Sequence, residues 1–176
     1  MPHFTINGQD AETTPGTTIL SAARALGITI PTLCDHPDLT PYGGCQMCLV
    51  EVKGEPRLVQ SCTREVRAGM LIQTETPRVR KAQRSIVEML LSMYHDGGYK
   101  RGGDQDNELI HWARRFKVPV AKHMAAAPRY PVDTDPNPLI RVDMNKCILC
   151  TRCVRACAEI QGRFVWGIQG KGVEAH

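Results

Sequence analysis

Apolar and polar positions alternate over His3–Ile6 and stop at Asn7-Gly8, a pair suited to a two-residue type I′ turn, and residues 11–14 supply a return strand. The period then lengthens. Ile19, Leu20, Ala23 and Leu26 fall at helical spacing within residues 17–26, and Gly27 stands where a helix ends. Leu49–Val52, a Lys53-Gly54 turn, residues 57–59 and residues 70–74 read as further strands that complete a mixed sheet. Strand, strand, helix, strand, strand is the β-grasp order, so residues 1–76 are expected to form a small β-rich domain.

From Pro77 to residue 94 the period is helical again, with Val79, Ala82, Ile86, Met89, Leu90 and Met93 on one face and Pro77 in the first turn. Residues 95–107, HDGGYKRGGDQDN, hold four glycines and almost no apolar side chain. They should form a loop or be ordered by a partner. Residues 108–116 read as a short helix, after which Pro119, Pro128, Pro131, Pro136 and Pro138 interrupt any regular element. Residues 77–138 are therefore expected to be a helical and extended linker. Residues 140–143 read as a short strand that leads, within a last segment of 139–176, into a dense group of cysteines.

The length of 176 residues allows one medium domain or two small ones. Only 5% of the residues are aromatic, which leaves few large rings to fill a core, and eight are cysteine. The opening MPHFTINGQD has no basic stretch followed by an apolar one, so no secretory signal is visible and a cytoplasmic location is expected. In a reducing compartment, clustered thiols point to metal or redox chemistry rather than disulfides. The apolar runs are far shorter than the roughly 20 residues that span a bilayer, so direct membrane insertion is not expected.

A formal charge of +4 raises the question of nucleic acid. Eight thiolates around one 2Fe-2S and one 4Fe-4S core would add about four negative charges and bring the folded protein close to neutrality. The dense basic run, Arg78, Arg80, Lys81 and Arg84, lies on the expected helix and reads as a solvated face. Nucleic-acid binding is not expected.

Cys147, Cys150, Cys153 and Cys157 form a C-x2-C-x2-C-x3-C run, the bacterial ferredoxin pattern for a 4Fe-4S cluster. Two-residue spacers let successive thiolates converge on neighbouring corners of one cluster. In two-cluster ferredoxins the fourth cysteine serves the other cluster, so Cys157 could hold this cubane or a second one. The usual proline after that cysteine is Ala158 here. Cys34, Cys45, Cys48 and Cys62 are separated by ten, two and thirteen residues. A long loop, a CxxC and a distant fourth cysteine match the plant-type 2Fe-2S topology with a longer first arm. Gly43 and Gly44 before Cys45 would allow a close backbone approach. Zinc and buried free thiols are the alternatives; zinc prefers two separated ligand pairs.

The run IPTLC-x10-C-x2-C-x13-C after a β-grasp start, a helix ending LLS and a ferredoxin run together resemble the amino-terminal iron–sulfur region of three groups. These are the large iron–sulfur subunits of NADH:quinone oxidoreductases, iron-only and NAD-linked hydrogenase subunits, and NAD-linked molybdenum or tungsten formate dehydrogenase α subunits. KCILCTRCVRACAEIQGRFVWGIQGKG looks closest to the formate dehydrogenases. The resemblance covers nearly the whole chain. It implies an α+β protein: a β-grasp 2Fe-2S ferredoxin domain, a linker, and a partial bacterial-type 4Fe-4S ferredoxin domain. It further implies a relay of single electrons between a flavin/NAD-binding subunit and a catalytic subunit of the molybdenum/tungsten or hydrogenase type.

Two departures qualify that resemblance. After LLS the family carries one histidine and three cysteines that bind a further 4Fe-4S cluster, whereas here His95 is followed by no cysteine until Cys147. That cluster is not expected, and His95 reads as an ordinary loop histidine; His111 and His123 have no ligand spacing. The family also has a second cysteine quartet some forty residues after the first, beyond His176. Cys157 closing the cubane, a fragment or shortened subunit, and a partner's ligand are the three options. The chain has no G-x-G-x-x-G, no P-loop and no hydrolytic triad, so no catalytic residue is assigned. Met47, Gln46, Ile148 and Leu149 are the side chains expected to shield the clusters from water. A zinc-stabilised interaction module or a redox sensor is the reading from a different class.

Overall fold

A computed structural model describes residues 1–96, 107–132, 139 and 142–175. The chain divides into two compact units, Met1–Ile86 and Val87–His176. The first unit opens with β1 (His3–Ile6) and β2 (Gln9–Glu12), joined by Asn7 and Gly8 at φ of 52° and 83°, the left-handed pair that a type I′ turn requires. Such a tight turn leaves no slack. Pairing therefore starts at Ile6↔Gln9, and β2 lies two residues earlier than the alternation suggested.

Helix α1 (Ile19–Ala25) is capped at both ends. Thr18 Oγ1 accepts the Ser21 N–H at 3.2 Å. At the other end Gly27, at φ 71°, lets Ile28 N–H reach the Ala23 carbonyl while its own N–H reaches Arg24, the Schellman arrangement. Strands β3 (Leu49–Val52), β4 (Val59–Gln60) and β5 (Leu71–Gln73) follow. The sheet order is β2-β1-β5-β3-β4, with β1 and β5 parallel and the other neighbours antiparallel. This is the expected β-grasp. Strand β4 sits later than residues 57–59 because its partner register, Val50↔Val59 and Leu49↔Gln60, begins only at Val59.

One face of the sheet and α1 share an apolar core that includes Phe4, Ile6, Ile19, Leu20, Val50 and Ile72. Cys48 and Cys62 belong to the same core. Helix α2 (Pro77–Met93) has Thr76 ahead of Pro77, its hydroxyl accepting the Val79 N–H at 3.2 Å. Its buried positions are Val79, Gln83, Val87, Leu90, Leu91 and Tyr94 near its end, so Val79 and Leu90 of the expected face are buried and Ala82, Ile86 and Met93 are half-buried. Met89 is 57% exposed. The face is rotated because Gln83, only 2% exposed, donates Nε2–H to the Leu49 carbonyl at 3.2 Å, so a polar residue takes a buried position.

In the second unit, α3 (Glu108–Arg115) is capped by Asn107, whose Oδ1 accepts the Ile110 N–H at 2.9 Å. A short α4 (Val120–His123) follows. Then come a 3₁₀ turn at Met144–Lys146, α5 (Arg152–Arg155), a π-helical turn at Ala156–Ile160 and a 3₁₀ turn at Gly172–Glu174. Leu109, Ile110, Ala113 and Val118 are buried here. Asn145, 1% exposed, organises the polar interior: its Oδ1 accepts the N–H groups of Arg129 and Tyr130, its amide donates to the Tyr130 carbonyl, and its own carbonyl accepts the His95 N–H. Val142 and Asp143 lie outside any strand, whereas Ile140 and Arg141, most of the glycine-rich 95–107 stretch, Pro136 and Pro138 fall outside the described residues. Among the described residues no helix is long and apolar enough to cross a membrane.

Candidate metal centres

Four cysteines converge at one end of the first unit's sheet. Cys34 lies in the loop after α1, Cys45 and Cys48 in the turn that enters β3, and Cys62 just beyond β4. The Ser61 N–H to Cys48 carbonyl bond at 3.0 Å ties the last two segments together. Cys34, Cys48 and Cys62 are buried and Cys45 is half-buried.

The loop that carries Cys45 is shaped by close contacts. A Cβ on Gly43, at φ 69°, would meet the Gln60 side-chain oxygen at 2.8 Å, and Gln60 Nε2–H in turn donates to the Gly43 carbonyl. A Cβ on Gly44 would fall 2.2 Å from the Tyr42 ring. The two glycines thus admit Gln60 and Tyr42. Gln46 follows at φ 58°, a left-handed turn that reverses the chain between Cys45 and Cys48.

The thiols associate in pairs. Cys45 hydrogen-bonds to the Cys34 sulfur, which, with burial, pushes its thiol well up. Cys62 hydrogen-bonds to Cys48, which holds Cys48 down to about 7 and pushes Cys62 up; burial and the charges of Cys48, Cys34 and Asp35 push Cys62 further. The Met47 N–H turns to the Cys45 sulfur. Ser61 escaped the sequence reading, as did Asp35, because neither has a spacing that marks it.

Two pairs of thiols are what a two-iron core bridged by sulfide needs, two thiolates for each metal. A single zinc ion needs all four sulfurs on one point. The donor chemistry therefore fits a 2Fe-2S group better than zinc. Met47 is fully buried beside the loop, but Gln46 is exposed and lines an open hollow with Leu49, Arg57 and Gln60. Gln46 faces water because its left-handed backbone turns the side chain outward.

In the second unit, Cys147 and Cys150 lie on a loop, Cys153 on α5 and Cys157 in the π-helical turn. Leu149 and Thr151 adopt φ of 55° and 60°, so the loop winds left-handed between the thiols. The Leu149 N–H donates to Cys147 Sγ at 3.4 Å, as inward-turned amides in a cluster loop would. Burial pushes the Cys147 thiol up, with the charges of Cys150 and Cys153 adding to the shift. The Val165 N–H donates to Cys157 Sγ at 3.3 Å. Ile148 and Leu149 are half-buried and Cys153 is exposed. His95 hydrogen-bonds through Nδ1 to the Ala125 carbonyl at 2.8 Å, an ordinary structural partnership. His111 is exposed, stacked edge-on against Trp112, and His123 is half-buried.

Comparison with known proteins places each centre within a matched iron–sulfur or ferredoxin-like domain. Residues 1–77 match the family model of a 2Fe-2S iron-sulfur cluster binding domain, and residues 137–176 that of the ferredoxin-like domain of NADH-quinone oxidoreductase subunit 3. The 78 kDa subunit of NADH-ubiquinone oxidoreductase from Candida albicans mitochondria is 34% identical over 171 residues, 96% of this chain but 24% of the relative. The mitochondrial NADH dehydrogenase (ubiquinone) iron-sulfur protein 1 of Solanum tuberosum is 35% identical over 173 residues, 95% of this chain and 22% of its own length. The chain thus spans about a quarter of the length of these curated relatives. A crystal structure of an NAD+-reducing [NiFe]-hydrogenase in the H2-reduced state superimposes with a TM-score of 0.86 at 30% identity, over 99% of this chain and 73% of the other.

Proposed function

Since the chain belongs to the iron–sulfur family that includes this NAD+-reducing hydrogenase chain and the NADH-ubiquinone oxidoreductase proteins, we propose that it relays single electrons between a flavin/NAD-binding subunit and a catalytic centre. In this reading Cys34, Cys45, Cys48 and Cys62 hold a 2Fe-2S cluster, and Cys147, Cys150 and Cys153 hold a 4Fe-4S cluster, with Cys157 on this cubane or a neighbouring one. Residues 1–76 form the first ferredoxin domain, 77–138 the connector and 139–176 the second. The clusters supply reversible one-electron chemistry. The chain's own residues hold the thiolates, direct amide hydrogens to sulfur, and exclude water.

The pairing of Cys34 with Cys45 and of Cys48 with Cys62 carries this reading. The relatives are NADH-ubiquinone oxidoreductase proteins and an NAD+-reducing hydrogenase, which favours those complexes over the formate dehydrogenase suggested by the carboxy-terminal segment. Formate dehydrogenase is the second reading, favoured by the run CVRACAEIQG.

An iron and acid-labile sulfide count on anaerobically purified protein, alone and with co-purifying subunits, tests the proposal. About six irons per chain, with 2Fe-2S and 4Fe-4S EPR signals after reduction, is the expected result. About two irons, with the 4Fe-4S signal appearing only in the complex, would mean that the second centre takes a ligand from outside. Zinc without iron would end the electron-transfer reading.

A further inference from the structure

Asp35 directly follows Cys34, and its side chain is only 9% exposed. Arg24, from the last turn of α1, brings Nη2 to 2.7 Å from its Oδ2. The arginine side chain is 44% exposed, so the pair is oriented, with its negative end inside the protein and its positive end toward water. The negative charge of Asp35 is among the causes that push the Cys62 thiol up.

Position decides how much such a charge matters. A carboxylate out of water is screened far less than one in solvent. Asp38, three residues further on, offers the contrast: it is 73% exposed and pairs with His36 at 3.6 Å. Reduction of a 2Fe-2S cluster adds one electron and one unit of negative charge, with no bond made or broken. A fixed negative charge nearby opposes that step and a positive one favours it, as net charge and burial do in iron–sulfur sites generally.

We propose that the Asp35–Arg24 pair sets the reduction potential of the amino-terminal centre, the buried carboxylate holding it low and the half-exposed guanidinium limiting how low it goes. This rests on the reading that Cys34, Cys45, Cys48 and Cys62 hold a 2Fe-2S cluster. Both side chains act through their charge rather than by contact with the cluster. They are tuning residues, not ligands.

The test is a potentiometric titration of the full-length chain with dithionite as the electron donor, following the EPR signal of the reduced 2Fe-2S cluster. Asp35→Asn is expected to raise the midpoint potential and Arg24→Gln to lower it. Arg24→Lys, which keeps the cation, should stay close to the parent, and Asp38→Asn should leave the midpoint where it was. Arg24→Gln truncates a half-exposed helical side chain and opens no cavity, so the measurement survives even if Asp35→Asn loads poorly. An Asp35→Asn midpoint that is unmoved or lower, or an Arg24→Gln midpoint that rises, overturns the proposal. A parent protein with no 2Fe-2S signal instead strikes the cysteine assignment, an outcome distinct from a signal that is present and unmoved.

Discussion

The two cysteine sites are built on opposite plans. In the first unit the thiols grow out of the core itself: Cys48 and Cys62 pack with Val50, Val59 and Ile72, and a sheet fixes the segments that carry them. In the second, the cysteines ride on a left-handed loop, a one-turn helix and a π-helical turn, and Cys153 is exposed. Ile160, Phe164, Val165, Trp166 and Ile168, which follow the last cysteine, are exposed as well. Burial strengthens every charge and hydrogen bond at the first site, whereas water stays close to the second. Scaffold, more than ligand spacing, separates them.

The largest effect that would sharpen this contrast is cluster loss. Cys48→Ala should abolish the 2Fe-2S signal and remove about two irons per chain while the 4Fe-4S signal persists in the same sample; iron analysis with EPR reads both. Loss of both signals would break the independence of the two sites. Next, a chelator added to the oxidised protein should strip the exposed carboxy-terminal centre well before the buried one, followed as two phases in the visible spectrum. Equal rates would mean that exposure is not what separates them.

Smaller effects concern stability. Ile72→Ala empties a fully buried core position and should cost the first unit about 2–5 kcal/mol. Asn145→Ala leaves the Arg129 and Tyr130 N–H groups without their side-chain acceptor and should cost the second unit about 1–3 kcal/mol. Hydrogen exchange resolved by peptide should place each loss in its own unit, and losses spread over both would make the division at α2 irrelevant to stability. The smallest effect is a titration. With Cys62 donating to it, Cys48 in cluster-free protein should become a thiolate as pH rises through about 7. Cys62→Ala removes the donor that favours the thiolate, so the midpoint, read by far-ultraviolet thiolate absorbance, should move upward.

Local rules made much of this legible in one dimension. Asn7-Gly8 specifies its turn because few other pairs accept two left-handed residues, and Thr18 and Gly27 bracket α1 through bonds that close within a few residues. The cysteine spacings identify both cluster types because a cluster constrains its ligands along the chain as well as in space. The buried face of α2 was legible only in part. Hydropathy favours Met89 and disfavours Gln83, but the Leu49 carbonyl accepts the Gln83 amide, and a partner 34 residues away leaves no local trace.

The β1 turn, the ends of α1, the two cysteine motifs and the missing cysteines after His95 were thus legible in the sequence alone, since each depends on residues close together along the chain. Tertiary structure decided which thiols pair, which way the amides of Met47 and Leu149 point, and that Asp35 lies buried against Arg24 beside Cys34. These are matters of distance and of exclusion from water. They exist only once strands far apart in sequence have been brought side by side.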